Sequence, residues 1–373
     1  MPPPSPPPPP PAGAEPDPTP KTTIIGLSGP SSSGKTTLAR LLQSIFSKLT
    51  PTSTTNPSPN PTTNLKTFIV HEDDFYHSDD KIPLTPHPRA PHQNIQNWDT
   101  LAAINTPFLT SSLQYIKSHG RLPPRLRSKE DLNDVVPPDV SESVIEELRG
   151  VVRRRVPSYY YVDEGSGGDD RDGDGKRNRT IVFLEGFLLF APPRIEAPEH
   201  GLRDVNDVMD VRLFLPARYE NVKERREGRS GYVTIGPAPT VSNTGDGDGD
   251  GDGDGGEVEQ KGEEKEEAEG VDLEKEDDGP PQNFWTDPPG YVDDIVWPNY
   301  VQDHAWLLLP EEGSQRLPTV DTPELVHLVG QGVNLRTDAG VTVAPGQGTA
   351  SIVDILKWAV EEVLKHIEET EEQ

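Results

Sequence analysis

Residues 22–49 read TTIIGLSGPSSSGKTTLARLLQSIFSKL, and this stretch decides the fold. Its first six residues, Thr22–Leu27, are β-branched and apolar, the composition of a strand buried on both faces of a parallel sheet. Leu38, Leu41, Leu42, Ile45, Phe46 and Leu49 then recur at steps of three and one, which places them on one face of a helix. Between strand and helix, Gly29-Pro30-Ser31-Ser32-Ser33-Gly34-Lys35-Thr36 fits the pattern G-x-x-x-x-G-K-[ST]. Gly29 and Gly34 admit backbone angles that other residues resist. The turn can then aim the N–H groups of Ser31, Ser32, Ser33 and their neighbours at phosphate oxygens, at the positive end of the helix. Lys35 reaches the terminal phosphates of a nucleotide, and the Thr36 hydroxyl is placed to hold Mg²⁺.

Outward from this loop, strands and helices alternate. Phe68–Val70 opens a second strand that runs into His71-Glu72-Asp73-Asp74-Phe75-Tyr76. Residues 100–119 and 139–154 read as helices, Thr180–Leu184 as a third strand followed by Glu185-Gly186, and Val208–Leu215 as a fourth. A charged helix spans Ala217–Arg229. In the last helix, about Ala350 to Glu369, the apolar positions from Ile352 to Ile367 step by three and one throughout, so it docks on a core. Between that pair of helices, Gly332–Pro345 holds a further short strand. This order predicts an α/β fold: a parallel sheet flanked by helices in three layers, of the P-loop NTPase type, with a lid. Ligands of such sheets bind at the carboxyl ends of the strands, where the motifs fall.

Composition limits the rest. Of 373 residues, 42 are Pro and 33 Gly, and only 31% are hydrophobic, so the core is expected to be smaller than the chain. Residues 1–20, with 12 prolines, read as a disordered tail. Residues 21–373 read as one domain with loop insertions at 51–64 and 163–178 and a disordered acidic insertion at 236–281. The net charge is −28, and residues 245–278 alone carry −14. A chain this acidic is a poor generic binder of nucleic acid. The absence of cysteine excludes disulfides, thiolate metal sites and cysteine nucleophiles. No apolar run is long enough to span a membrane, and the Pro-rich start is unlike a secretory signal. A cytoplasmic protein is expected, with the nucleus as the alternative; the Pro-rich tail and acidic tract are the segments open to protein partners.

A loop of this type does not by itself separate kinases from GTPases or ATPases. The lack of an Asn-Lys-x-Asp motif counts against a GTPase. Phosphoryl transfer to an alcohol needs a carboxylate that accepts the hydroxyl proton or helps hold the metal, and Asp73 and Asp74 stand at a strand end. Adjacent carboxylates of a strand point opposite ways, so one of them is expected to face the phosphates. Glu185 stands where a carboxylate contacts Mg²⁺ directly or through water. Arg225, Arg226 and Arg229 share one helix, as a segment that closes on a phosphoryl group would need. Trp285, Trp297 and Trp306 read as packing residues, and His71 and His77 lack the further ligands a zinc site requires.

The segments GLSGPSSSGKTTLAR, HEDDFY, NWDTLAAI, IVFLEGFLLF, the Tyr219–Arg229 helix and PPGYVDDIVWPNY, in that order, resemble the nicotinamide riboside kinases, relatives of the uridine and pantothenate kinases. The resemblance implies an ATP- and Mg²⁺-dependent phosphotransferase acting on the 5′-hydroxyl of nicotinamide riboside. It implies Asp73 as proton acceptor, with Thr36, Asp73 and Glu185 around the metal. Gly29, Ser31, Ser32, Ser33, Gly34, Lys35, Thr36 and Thr37 would hold ATP together with Arg225 and Arg229, with Lys35 and Arg225 taking part in catalysis. Asp73, Asp74, Phe75, Tyr76, Trp98, Asp99 and Arg226 would form the riboside pocket. There Trp98 would stack on the pyridinium ring and Asp99 would accept ribose hydroxyls. Residues near Gln347–Ala350 would meet adenine. A uridine or cytidine kinase, and a non-catalytic P-loop protein acting through its acidic and Pro-rich segments, are the competing readings.

Overall fold

The computed structural model describes residues 21–47, 62–63, 65–128, 139–156, 161–162, 179–236, 273, 282–308, 329 and 336–371. The expectations for 1–20, for most of 51–64 and for 163–178 lie outside the described residues, as does almost all of 236–281.

Five parallel strands form the central sheet: β1 (Lys21–Ser28), β2 (Leu65–His71), β5 (Arg179–Gly186), β6 (Val211–Phe214) and β9 (Thr342–Val343), in the order β9-β6-β1-β5-β2. Two short antiparallel hairpins stand apart from it, β3 (Leu84–His87) with β4 (Ala90–Gln96), and β7 (Tyr232–Ile235) with β8 (Gln282–Trp285). The helices are α1 (Lys35–Ser47), α2 (Thr106–His119), α3 (Glu142–Arg155), α4 (Arg203–Val208), α5 (Tyr219–Glu227), α6 (Trp297–Leu308) and α7 (Ile352–Glu371). The α/β fold with a parallel sheet between helical layers is thus the observed one. No described helix is long and apolar enough to cross a membrane.

Successive strand residues feed opposite cores, as the two-residue period of a strand requires. Ile25, Leu27, Ile181, Phe183 and Leu213 pack with the apolar faces of α1, α3 and α7. Ile24, Val182, Leu184 and Phe214 pack on the other side with α2, α4 and α6. Both faces of β1 and β5 are therefore dry, which is why their sequences are runs of apolar residues and not alternations. The stepped pattern of the last helix has the consequence the sequence implies: Leu356, Val360, Val363, Leu364 and Ile367 are all buried. Arg155, at the end of α3, reinforces that contact by meeting Glu368 of α7 at 2.7 Å. Truncation of the fully buried Leu364 to Ala should cost about 2–5 kcal/mol through lost burial and a residual cavity. Thermal unfolding would show this as a clear drop in melting temperature, and an unchanged value would remove α7 from the core.

Several boundaries differ from the sequence reading. The helix expected from residue 100 starts at Thr106, because Asn105 caps it by accepting from Phe108 N–H at 3.0 Å with Pro107 in the first turn. The strand expected from Val208 starts at Val211, because Arg203–Val208 forms the short helix α4. The hairpin β3–β4 was not anticipated: its largely exposed, polar strands carry no apolar periodicity. Within the expected segment Gly332–Pro345, the described strand is Thr342–Val343 alone.

Candidate active site

The register of the sheet brings the decisive strand ends level. Glu185 pairs in register with Leu27 on one side and His71 on the other, and Ser28 stands beside both Gly186 and Phe214. The loop after β1 closes over these ends. Gly29 has φ +154°, and a Cβ there would lie 2.3 Å from the Leu215 carbonyl oxygen. Gly34 has φ +98°, and Ser32 takes a left-handed conformation at φ +63° without being glycine. Leu38 N–H closes the first turn of α1 on the Gly34 carbonyl at 2.9 Å, and Lys35 Nζ donates back to the Pro30 carbonyl at 2.9 Å.

One cavity runs from this loop to an aromatic cluster. Ser31, Ser32, Gly34, Lys35, Thr36, Thr37, Asp73, Glu185 and Arg229 line one part of it, and Tyr76, Trp98, Asp99, Phe187, Arg226, Tyr232 and Trp285 line the rest. Thr36 Oγ1 donates to Glu185 Oε1 at 3.1 Å, and His71 Nδ1 lies 2.7 Å from the same oxygen. Burial pushes the Glu185 carboxyl up, but His71, Lys35 and Thr36 outweigh it, and the group titrates below the usual carboxylate range. Burial pulls the Lys35 amine down, and the charges of Glu185, Asp73 and Glu72 oppose that pull.

The Glu72–Phe75 segment is a tight 3₁₀ turn and not a continuation of the strand, which changes which groups face the cavity. Asp73 lines it. Asp74 is buried and does not. Phe75, expected in the riboside pocket, turns into the core against Phe108, with ring centroids 5.1 Å apart. Glu72 is fully buried, accepts from Leu188 N–H at 3.0 Å, and lies against Gly186, where a Cβ would meet its Oε2 at 2.3 Å. Burial pushes the Glu72 carboxyl well above its ordinary range, opposed by the Leu188 N–H that it accepts.

At the aromatic end, Tyr76 meets Trp98 edge-on at 5.3 Å and stacks over Phe187 at 6.2 Å. Trp285 stands 5.8 Å from Trp98, inclined at 50°. Trp285 is thus a cavity wall and not simply packing, which corrects the sequence reading. Trp297 and Trp306 are indeed packing residues, against Tyr219 and Tyr300 and beneath Arg336. The Trp98–Asp99 loop is held from behind. Trp98 N–H donates to Tyr291 Oη at 3.0 Å, Tyr291 Oη donates to the Gln96 carbonyl at 3.1 Å, and Asn299 Nδ2 donates to the Asp99 carbonyl at 2.7 Å. Here lies the structural reason for the PPGYVDDIVWPNY segment: its Tyr and Asn fix the residues that face the ligand.

The three arginines of the α5 region separate. Arg226 is buried and grips Asp99 through two bonds of 2.8 and 2.9 Å. Burial pushes the Asp99 carboxyl up, opposed by Arg226. Arg229 is exposed, lines the cavity and lies over the Tyr232 ring at 5.3 Å. Arg225 does not line the cavity; its Nη1 donates to the Ser32 carbonyl at 3.3 Å, against the phosphate loop. Gly29 and Ser33 likewise shape the loop without lining the cavity. Gln347–Ala350 form a turn against Ala217 and Arg218, where a Cβ on Gly348 would meet Ala217 Cα at 3.1 Å, and none of them lines the cavity. Tyr232, Phe187, Trp285 and Asp287 are the site residues that sequence reasoning missed; their only signal was their position beside recognised motifs.

The hairpin β7–β8 covers the aromatic end. Thr234 lines the cavity and donates to Asp79 Oδ2 at 3.1 Å, and Asn283 donates to the same oxygen at 2.6 Å. Ile235 pairs with Gln282, so the chain leaves and re-enters this hairpin at adjacent positions. Among the described residues no cluster of three metal-ligating His, Cys, Asp or Glu occurs, and His71 is committed to Glu185.

An α/β sheet with a glycine-hinged phosphate loop, a Lys, a Thr–Glu pair and an Asp lining one cavity is the arrangement of a P-loop kinase. Within it, the chain is similar to proteins named nicotinamide riboside kinase. It is 25% identical to that of Schizosaccharomyces pombe over 350 residues, covering 94% of this chain and all of the relative. It is 24% identical to that of Eremothecium gossypii over 306 residues, 82% of this chain and 86% of the relative. The nicotinamide riboside kinase of Saccharomyces cerevisiae is also 24% identical, over 78% of this chain and 80% of the relative. No family model matches the chain.

Proposed function

We propose that the chain is an ATP-dependent kinase that phosphorylates the 5′-hydroxyl of nicotinamide riboside to give nicotinamide mononucleotide. The observation that carries this reading is the single cavity that joins the phosphate loop to a cluster of aromatic rings and the Asp99–Arg226 pair. ATP places its phosphates on the loop, against Lys35 and Arg229, with Arg225 supporting the loop from its outer side. Asp73 takes the proton as the 5′-oxygen bonds to the γ-phosphorus, the β–γ bridging oxygen leaves with ADP, and the charge developing on the transferred group meets Lys35 and Arg229. Trp98 and Tyr76 offer π-faces to a cationic ring, worth about 0.5–2 kcal/mol. Asp99 keeps lone pairs free for ribose hydroxyls beyond its two bonds to Arg226.

The donor set Thr36, Asp73 and Glu185 consists of hard oxygens in one cavity, which suits Mg²⁺ and not a softer metal. When bound, the ion would offset the charge of the phosphates. The described residues act as one catalytic unit, in keeping with a single domain over 21–373, and a cytoplasmic setting with a small-molecule acceptor suits this chemistry. The competing pyrimidine-nucleoside reading has less support. Uridine and cytidine carry neutral bases that need hydrogen-bond partners, and this end of the cavity offers mostly rings. Side-by-side assays with nicotinamide riboside, uridine and cytidine should show turnover of the first well above the others. Turnover confined to uridine or cytidine would keep the chemistry and discard this acceptor.

A further inference from the structure

Arg226 has a second carboxylate partner that the reaction scheme does not use. Its Nε donates to Asp287 Oδ2 at 2.7 Å and its Nη2 to Asp287 Oδ1 at 3.3 Å, along the edge next to the one that grips Asp99, with Nη2 shared by both carboxylates. Asp287 Oδ1 also accepts from Trp285 Nε1 at 2.9 Å. One carboxylate therefore fixes both the guanidinium that grips Asp99 and the indole that faces Trp98. All three charged side chains are shielded from water, at 6%, 5% and 13% exposure for Arg226, Asp99 and Asp287. Asp287 itself does not line the cavity, so it works through its neighbours.

The charge count gives this arrangement its meaning. Arg226 and Asp99 alone form a neutral pair. With Asp287 the buried group carries one net negative charge, beside rings that already favour a cation. If the only task were to hold Arg226 for a ribose, one carboxylate would do so without the cost of burying another. Of the other cations that line the cavity, Lys35 stands on the phosphate loop, and Arg229, exposed to water over the Tyr232 ring, is the one a triphosphate would draw off. On the reading of the acceptor given above, we infer that Asp287 is a positioning residue that makes the pocket select a positively charged ring over a neutral one of the same shape.

The test compares nicotinamide riboside with its 1,4-dihydro form, whose ring has nearly the same size and no charge. Binding is measured by calorimetry without ATP, so it does not depend on turnover. The wild-type chain should bind the cationic riboside about tenfold or more tightly than the neutral one, and Asp287→Asn should reduce that preference about tenfold, equivalent to about 1.4 kcal/mol. Asp287→Glu, which keeps the charge, should retain most of it. A purely structural role would weaken both ligands together and leave their ratio unchanged, and that result would overturn the inference. Equal affinity of the wild type for the two ribosides would overturn it as well, even if the Asn variant failed to fold. Failure of the wild type to bind either riboside would remove the acceptor reading and this inference together. Normal phosphorylation of nicotinamide riboside with an unmoved ratio would remove only the role of Asp287.

Discussion

Asp73→Asn should lower turnover by about 10²–10⁴-fold, the range lost when a positioned proton acceptor is removed. The amide keeps the size and polarity of the carboxylate but cannot take the proton of the attacking hydroxyl. Asp73 is the one member of the Glu72-Asp73-Asp74 run that lines the cavity, so neither neighbour can replace it without rebuilding the turn. Binding of Mg-ATP should survive within a few fold, because Lys35, Thr36 and the loop remain. Near-normal turnover would exclude Asp73 as the base, and loss of ATP affinity equal to the loss of rate would recast it as a binding residue.

Lys35→Ala should cost about 10²–10³-fold in kcat/KM, the scale seen when a preorganised stabiliser of transition-state charge is deleted. The Lys35 amine donates to the Pro30 carbonyl and offsets the charges of Asp73 and Glu185. Its loss leaves those carboxylates facing an incoming triphosphate with less opposing charge. Affinity for Mg-ATP should therefore fall along with rate, which separates this variant from Asp73→Asn. Titration calorimetry paired with steady-state kinetics reads both quantities. An unchanged ATP affinity would mean that the loop is not the phosphate site.

Much of the fold was legible because its strands are apolar on both faces and its helices keep a strict three-and-one step. Thr22–Leu27, Thr180–Leu184 and the helix ending in Ile367 needed no tertiary information. The polar hairpin β3–β4 and the short helix α4 were not legible, since packing against neighbours, and not local periodicity, makes them. The phosphate end of the site was also readable: a fixed spacing of Gly, Lys and Thr specifies a backbone shape. The acceptor end was only partly so. Which of Glu72, Asp73, Asp74 and Phe75 faces the cavity depends on a 3₁₀ turn that shifts the side-chain directions from those of a strand. Trp285 and Asp287 come from a hairpin strand and the loop after it, and their place opposite Trp98 and Arg226 is set by long-range docking that spacing does not reveal.

The pairing of Ile235 with Gln282 changes what the intervening stretch of chain can mean. Opposed residues of an antiparallel ladder stand about 4.5–5.5 Å apart, so whatever is strung between them begins and ends at nearly one point. Such a point is a socket. A piece of sequence exchanged there need only have its own ends close together to keep the spacing of the two strands, and would give up the one described tie of this stretch, the Arg125 N–H donating to the Leu273 carbonyl. Because Thr234 of the same hairpin touches the cavity, a reporter domain plugged into the socket would ride on the part of the molecule that borders the proposed acceptor pocket.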